Sequence, residues 1–284
     1  MSMNLTLAPD AAIDLHMHTT YSDGRWPARQ LIDYLTSEHF DLVAVTDHDR
    51  IDKVAEIQAL AAEKHLPVLS GVEMSTIWNG KMGDLLCYGF DPEKSYISSI
   101  IDKFTQMRQD NIYRIYDYLL QKGYKFPRQE EVLAKNKGKL QHPLDNALLL
   151  HEHGYAEDWS GAVEIIRQAG YSTTRMDMAE TVEEVHRSGA VCLIAHPGRR
   201  ETNFTFYDPA LLDQLRAEVP IDGIEIYHPS HSVESIEMYL EYVRKHNLLG
   251  STGSDSHCIP TRMPIKYRAE ISRNLLERVG IKVA

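Results

Sequence analysis

Ile13-Asp14-Leu15-His16-Met17-His18 is the stretch on which the fold turns. It reads as an apolar strand that ends in two imidazoles. Alternate side chains of a strand face the same way, so His16 and His18 can grip one ion together. Four more apolar runs end in the same manner. Leu42-Val43-Ala44-Val45 leads to Asp47 and His48, and Val68-Leu69 leads to Glu73. Val191-Cys192-Leu193-Ile194 leads to His196, and Gly250-Ser251-Thr252-Gly253 leads to Asp255 and His257. Five strand-like segments that each deliver an imidazole or carboxylate to one end predict a single polar centre. In α/β proteins that centre lies at one rim of a parallel sheet or barrel. The mixture of nitrogen and oxygen donors suits borderline and hard divalent cations.

Working outward, apolar runs alternate with amphipathic ones. Residues 11–17, 42–46 and 66–72 read as strands, and 27–38 and 51–64 as helices, with Pro27 suited to a first turn. This rhythm predicts a mostly parallel sheet with right-handed crossovers. A fourth strand follows at 84–90. Residues 96–121 then form a long helix closed by Gly123, followed by helical pieces at 144–153 and 160–168. Residues 95–175 are therefore expected to be a helical insertion over the mouth of a barrel built from 1–94 and 176–284. Alternation resumes with helices at 178–188, 210–217 and 233–246 and strands at 190–195, 223–227 and 248–252. Seven candidate strands around one centre fit a barrel better than an open sheet.

Composition narrows the function. With 284 residues, 43% hydrophobic and 25% charged, the chain can bury a substantial core. No run of about 18 apolar residues is present, so no membrane span is expected. Residues 1–10 lack a basic flank and an apolar stretch, so no secretory signal is expected. Three scattered cysteines, Cys87, Cys192 and Cys258, fit a reducing cytoplasm rather than a disulfide framework. The net charge of −11 disfavours long nucleic acid as the main partner. Two or three divalent ions would neutralise roughly 4 to 6 of those charges, so the chain can still bind phosphate through metals.

The motifs Asp14-Leu15-His16-Met17-His18, Tyr21-Ser22-Asp23-Gly24, Thr46-Asp47-His48-Asp49, Gly71-Val72-Glu73, Ala195-His196-Pro197 and Gly253-Ser254-Asp255-Ser256-His257 occur in that order. Together they resemble the PHP (polymerase and histidinol phosphatase) family of the amidohydrolase superfamily. The resemblance covers nearly the whole chain. It implies an α/β protein, a distorted (β/α)7 barrel that holds two or three divalent metals and hydrolyses phosphoesters. Length and insertion look most like the small nucleotide and nucleoside-bisphosphate phosphatases of that family.

The resemblance also implies ligand roles. His16, His18, Glu73 and Asp255 would hold a first ion, with Glu73 bridging to its neighbours. Asp23, His48 and His257 would hold a second, although an aspartate in a Tyr-Ser-Asp-Gly turn can also serve as a helix cap. Asp47 and Asp14 are read as carboxylate partners of ligating histidines rather than ligands. The third site departs from the family pattern, because Asp84 stands where a histidine is usual. Either Asp84 and His196 bind a hard ion there, or the site is lost and the centre is binuclear. His196 would otherwise contact the substrate phosphate. Mn2+, Fe2+ or Zn2+ are the expected ions, with Mg2+ as a further option.

Arg199 and Arg200 are candidate phosphate contacts. His228 and, from the insertion, His142 are candidate substrate contacts, with Arg114 and Lys139 as weaker ones. The catalytic set is read as His196, His228 and Asp255. A hydroxide bridging two ions would attack a small phosphomonoester, and His196, His228 or a metal-bound water would protonate the leaving alcohol. The products would be an alcohol and inorganic phosphate. A cyclic-phosphate diesterase or a 5'-3' exonuclease of short RNA is the alternative on the same centre. Histidinol phosphate phosphatase and a non-catalytic regulatory module are the remaining readings.

Overall fold

The computed structural model describes residues 5–201 and 204–284. The chain divides into two compact units, Met1–Ile100 with Met176–Ala284, and Ile101–Arg175. The first unit is built on a ring of strands. In spatial order these are β2 (Ala12–Asp14), β3 (Leu42–Val45), β4 (Val68–Trp78), β5 (Lys81–Tyr88), β7 (Val191–Ile194), β8 (Gly223–Tyr227) and β9 (Leu249–Thr252). The end of β9 returns to β2. Leu15 N–H donates to the Thr252 carbonyl at 3.3 Å and His18 N–H to the Ser256 carbonyl at 2.8 Å. A parallel bridge between Met17 and Ser256 completes the closure. Short strands decorate the ring. β10 (Tyr267–Arg268) runs antiparallel to β2, and β6 (Met176–Asp177) pairs with the outer portion of β4. β1 (Thr6–Leu7) and β11 (Lys282–Val283) pair with each other.

The seven expected strands are all present, but the ring is less uniformly parallel than the alternation implied. β5 is antiparallel to both β4 and β7. The cause is local. β4 does not stop near Val72 but continues to Trp78, and Asn79-Gly80 then reverses the chain with φ of 47° and 75°. Trp78 faces Lys81 directly, so the loop has two residues, and positive φ at both matches a turn favoured by Asn-Gly. Glu73 therefore sits inside a strand rather than just beyond it, and Asp84 lies in the middle of β5 rather than at its start.

Strand alternation sorts the side chains. Ile13, Leu42, Ala44, Leu69, Leu86, Tyr88, Val191 and Leu193 form one cluster, which the ring encloses. Val43, Val45 and Val68 point outward. They pack on Leu31, Ile32 and Leu35 of α1 (Ala28–Ser37) and on Ile57 and Ala61 of α2 (Val54–Ala62). The remaining outer helices are α7 (Met178–Arg187), α8 (Pro209–Glu218), α9 (Val233–His246) and α10 (Arg273–Arg278). Asp177, Asp208 and Ser232 cap α7, α8 and α9 by accepting a backbone N–H three residues on.

The second unit holds most of α3 (Ile97–Gln121), with α4 (Gln129–Val132), α5 (Asp145–Glu152) and α6 (Trp159–Gln168). Its own core joins Ile112, Ile115, Leu119, Phe126, Leu150 and Ile166. Among the described residues no helix is long and apolar enough to cross a membrane. The three cysteines are free.

Two glycines test this architecture differently. Nothing lies within 4 Å of a Cβ built on Gly80, so Gly80→Ala strains only the left-handed backbone, at about 1–2 kcal/mol. A Cβ on Gly253 would meet His16 Cβ at 2.2 Å, so Gly253→Ala must push β9 away from β2. That change is expected to cost roughly 3 kcal/mol, the upper end of overpacking. Urea unfolding of the two variants should rank them in that order; a milder Gly253→Ala would contradict the close approach.

Candidate metal centre

Strand ends of the first unit bring the predicted donors together. His16 and His18 follow β2, His48 follows β3, and Glu73 lies within β4. His196 follows β7, and Asp255 and His257 follow β9. His16 Nε2 lies 3.0 Å and His18 Nε2 3.1 Å from the same oxygen, Glu73 Oε2, and the two nitrogens are 3.1 Å apart. Asp255 Oδ1 stands 3.2 Å from His18 Nε2 and 3.6 Å from His16 Nε2. His48 Nε2 is 3.4 Å from Glu73 Oε2 and 3.9 Å from Asp23 Oδ2, and His257 Nε2 is 3.1 Å from that Asp23 oxygen. On the other side of Glu73, Oε1 lies 2.9 Å from His196 Nε2, which is 3.9 Å from Asp84 Oδ2.

Three donor groups result, each with its ligand atoms mutually close: His16, His18, Glu73 and Asp255; His18, Asp23, His48 and His257; and Glu73, Asp84 and His196. Several imidazole nitrogens crowded against one carboxylate oxygen form an arrangement that a cation organises. The buried Nδ1 atoms of His18 and His48 have no hydrogen-bond partner. The donors are all nitrogen and oxygen, which fits divalent ions of the hard and borderline kind.

The electrostatics favour positive charge. Burial alone would depress the His16 imidazole, but the carboxylates of Glu73, Glu225 and Asp255 raise it well above its ordinary value. Burial likewise opposes a charged His18, yet hydrogen bonds to Asp255 and Glu73 push it up to about 10. Burial would raise Glu73, and the charges of His16 and His48 hold it well below the usual carboxylate range. The carboxylates that favour charged imidazoles here also place negative charge beside the donor atoms, as a bound divalent ion requires.

The backbone carries strain where donors are presented. His196 and Asp255 have φ of 29° and 51°, values that non-glycine residues rarely adopt. His196 lies two residues past the end of β7 and Asp255 three past the end of β9, so in both cases the left-handed residue falls where the chain leaves the strand.

Other predicted residues fall in distinct places. His228 is buried and its Nε2 lies 3.3 Å from Asp255 Oδ2. Its Nδ1 accepts the Ser230 N–H at 3.0 Å, so the neutral ring carries its proton on Nε2. Burial keeps it neutral, lowering its pKa to about 4. Arg199 Nη1 reaches to 3.6 Å from Asp255 Oδ2 while its guanidinium lies over Phe204. Arg200 stacks on Phe206 and lines a cleft with Gly198, Ser230, Ser232 and Ser235. His142 belongs to the helical unit, in the turn before α5, where its Nδ1 accepts the Leu144 N–H.

Asp47 and Asp14 are not partners of histidine rings. Asp47 accepts from Thr19 N–H, the Thr19 hydroxyl and the Ser22 hydroxyl, and so braces the loop that presents Asp23. Asp14 accepts from the N–H groups of Ser254 and Ile265, tying β2 to the segments that flank Asp255. The carboxylate that does orient a ligand is Glu225, within β8. Its Oε1 accepts from His16 Nδ1–H at 3.0 Å, and its Oε2 accepts the His196 N–H at 2.6 Å. A lone acid at the centre of Gly223-Ile224-Glu225-Ile226-Tyr227 was the available signal for it. Arg262 also escaped the sequence reading. Its Nη1 donates to the Ser254 carbonyl at 2.9 Å and to Asp255 Oδ2 at 3.2 Å, and it comes from an irregular loop without periodicity.

Known proteins share this arrangement of sequence and fold. A 3',5'-nucleoside bisphosphate phosphatase of Chromobacterium violaceum is 27% identical over 260 residues, covering 87% of each chain. A 5'-3' exoribonuclease of Haemophilus influenzae is 24% identical, covering 86% of this chain and 89% of the relative. The crystal structure of a protein from Bifidobacterium adolescentis described as a metal-dependent phosphoesterase superposes with a TM-score of 0.70. It is 25% identical and the match covers 98% of both chains. The family model for the PHP domain matches residues 14–200, and the chain belongs to that family.

Proposed function

We propose that the chain is a metal-dependent phosphoric ester hydrolase that acts on a small phosphomonoester of the nucleotide or nucleoside-bisphosphate class. The observation that carries this reading is that two donor groups share Glu73, one on each of its oxygens, while a third adjoins it through His18 and His48. In this reading one ion is held by His16, His18, Glu73 and Asp255, and a second by Asp23, His48 and His257. A third is held by Glu73, Asp84 and His196, with the Asp84 carboxylate replacing the imidazole common in the family. When bound, Mn2+, Fe2+, Zn2+ or Mg2+ supplies positive charge to phosphoryl oxygens and acidifies water for attack at neutral pH.

The chain's own groups do the rest. Arg199 and Arg262 bring two guanidinium groups to Asp255 Oδ2, where they can fork onto a phosphate. His228, neutral with its proton on Nε2, donates a hydrogen bond to a phosphoryl or leaving-group oxygen, and so stabilises charge that develops as the ester bond breaks. Glu225 fixes the His16 ring so that Nε2 keeps a free lone pair.

Purified protein with Mn2+ should release inorganic phosphate from members of a nucleotide and nucleoside-bisphosphate panel, and Asp255→Asn should reduce that release at least a thousandfold. Release from no phosphoester would refute the assignment, and faster cleavage of cyclic nucleotides or short RNA, followed by chromatography of the monoester products, would favour the diesterase reading.

Glu225→Gln keeps the shape of the side chain but cannot accept from both His16 and His196. It should weaken metal binding about 10- to 100-fold in a competition titration with a chromogenic chelator. Unchanged affinity would remove Glu225 from the site.

Metal analysis should give one ion fewer per chain for His196→Ala than for the parent protein. An equal count in both proteins would eliminate the third group.

A further inference from the structure

A second set of metal donors lies away from the polar rim. His186 at the end of α7, Cys192 in β7 and Asp222 just before β8 place Nε2, Sγ and a carboxylate oxygen close together. His186 Nε2 is 2.8 Å from Asp222 Oδ2. Cys192 Sγ is 3.9 Å from the nitrogen and 3.7 Å from the oxygen. Val191, Leu193 and Ala195 belong to the enclosed cluster, so strand alternation turns Cys192 outward, beneath α7. Cys192 lies within β7 and His196 two residues past its end, so four residues of nearly extended chain, about 13 Å, separate this set from the rim.

We infer that His186, Cys192 and Asp222 form a zinc site on the outer face of the barrel, with water in the fourth position. Around tetrahedral Zn2+ a sulfur and a nitrogen or oxygen ligand stand about 3.5 Å apart, and a nitrogen and an oxygen about 3.3 Å apart. The two sulfur distances are therefore a few tenths of an ångström too long, and the His186–Asp222 pair opens by about half an ångström when the ion enters. Asp222 Oδ2 is already fixed beside the sulfur, because it also accepts the Cys192 N–H at 2.8 Å. Access is graded to suit such a site. The sulfur is fully buried, whereas the side chains of His186 and Asp222 are 35% and 22% exposed, leaving an entry path and room for water. On binding, the Cys192 thiol loses its proton to solvent, and thiolate and carboxylate together balance the two charges of the ion. The bound ion would pin the end of α7 to β7 and to the entry of β8.

Co2+ is the probe, because only sulfur ligation gives an intense thiolate-to-cobalt absorption in the near ultraviolet. The rim centre offers nitrogen and oxygen donors, so that band reports the outer site alone. Full-length protein titrated with Co2+ should develop the band, and added Zn2+ should abolish it. The band should be lost in Cys192→Ala and reduced in His186→Ala, and it should persist in Cys258→Ala, whose sulfur lies beside the rim. Absence of the band from the wild type, or its persistence in Cys192→Ala, would overturn the site. Cys87 pairs with Cys192 across β5 and β7, so a mass lower by two hydrogens, marking a disulfide, would also overturn it. A zinc–sulfur distance near 2.3 Å in the X-ray absorption spectrum of the zinc-loaded wild type supplies a readout without any variant, so a poorly folded variant does not decide the matter.

Discussion

The rest of the structure depends on one buried carboxylate. Glu73 is fully enclosed, and a lone negative charge in that position would be prohibitively costly. His16, His18, His48 and His196 surround it, and each comes from a different strand end or a different step along one. The ring of strands must therefore close for the charge to be compensated. In return, the need for compensation penalises any arrangement in which the strands drift apart. Glu225 acts in the same way at a deeper layer, linking His16 and His196 across the barrel.

Much of this was legible in the sequence, for a physical reason. An imidazole or carboxylate at the end of an apolar run contradicts the usual polarity of a core-facing strand. Five such contradictions pointing the same way have one economical explanation. The strands and the donors at 16, 18, 48, 73, 196, 255 and 257 could be read because each carried its own local signal, whereas Asp23 was reached only through the motif resemblance; the structure draws all of these residues into neighbouring groups. The direction of β5 was not read, although Asn79-Gly80 announced it. The apolar run before Glu73 suggested a strand end, and the polar continuation Ser75-Thr76 hid the six further residues.

Groups whose role depends on tertiary neighbours were the ones lost. Asp47 and Asp14 sit in the family motifs and look like partners for histidines, yet Asp47 spends its oxygens on the N–H and hydroxyl of Thr19 and the hydroxyl of Ser22, and Asp14 on backbone N–H groups. No spacing rule distinguishes a carboxylate that steadies a loop from one that steadies a ring. Arg262 arrives through a segment without regular structure, so only folding reveals that its guanidinium meets Asp255. The left-handed backbone at His196 and Asp255 is equally silent in the sequence, because neither residue type announces it.

The reversed fifth strand has a consequence for how such a centre can diversify. The donors after β2, β3, β7 and β9 are borne on segments that continue from their strands, where a changed loop shifts a ligand and its neighbours together. Asp84 instead lies on the returning arm of a two-residue hairpin, locked opposite Ser75 by the strand ladder. Its place in space is dictated by pairing rather than by loop conformation. In the proposed centre, a side chain replaced at position 84 would keep its place on the ladder, so this position would act as an interchangeable socket whose occupant sets the donor type without a change of loop.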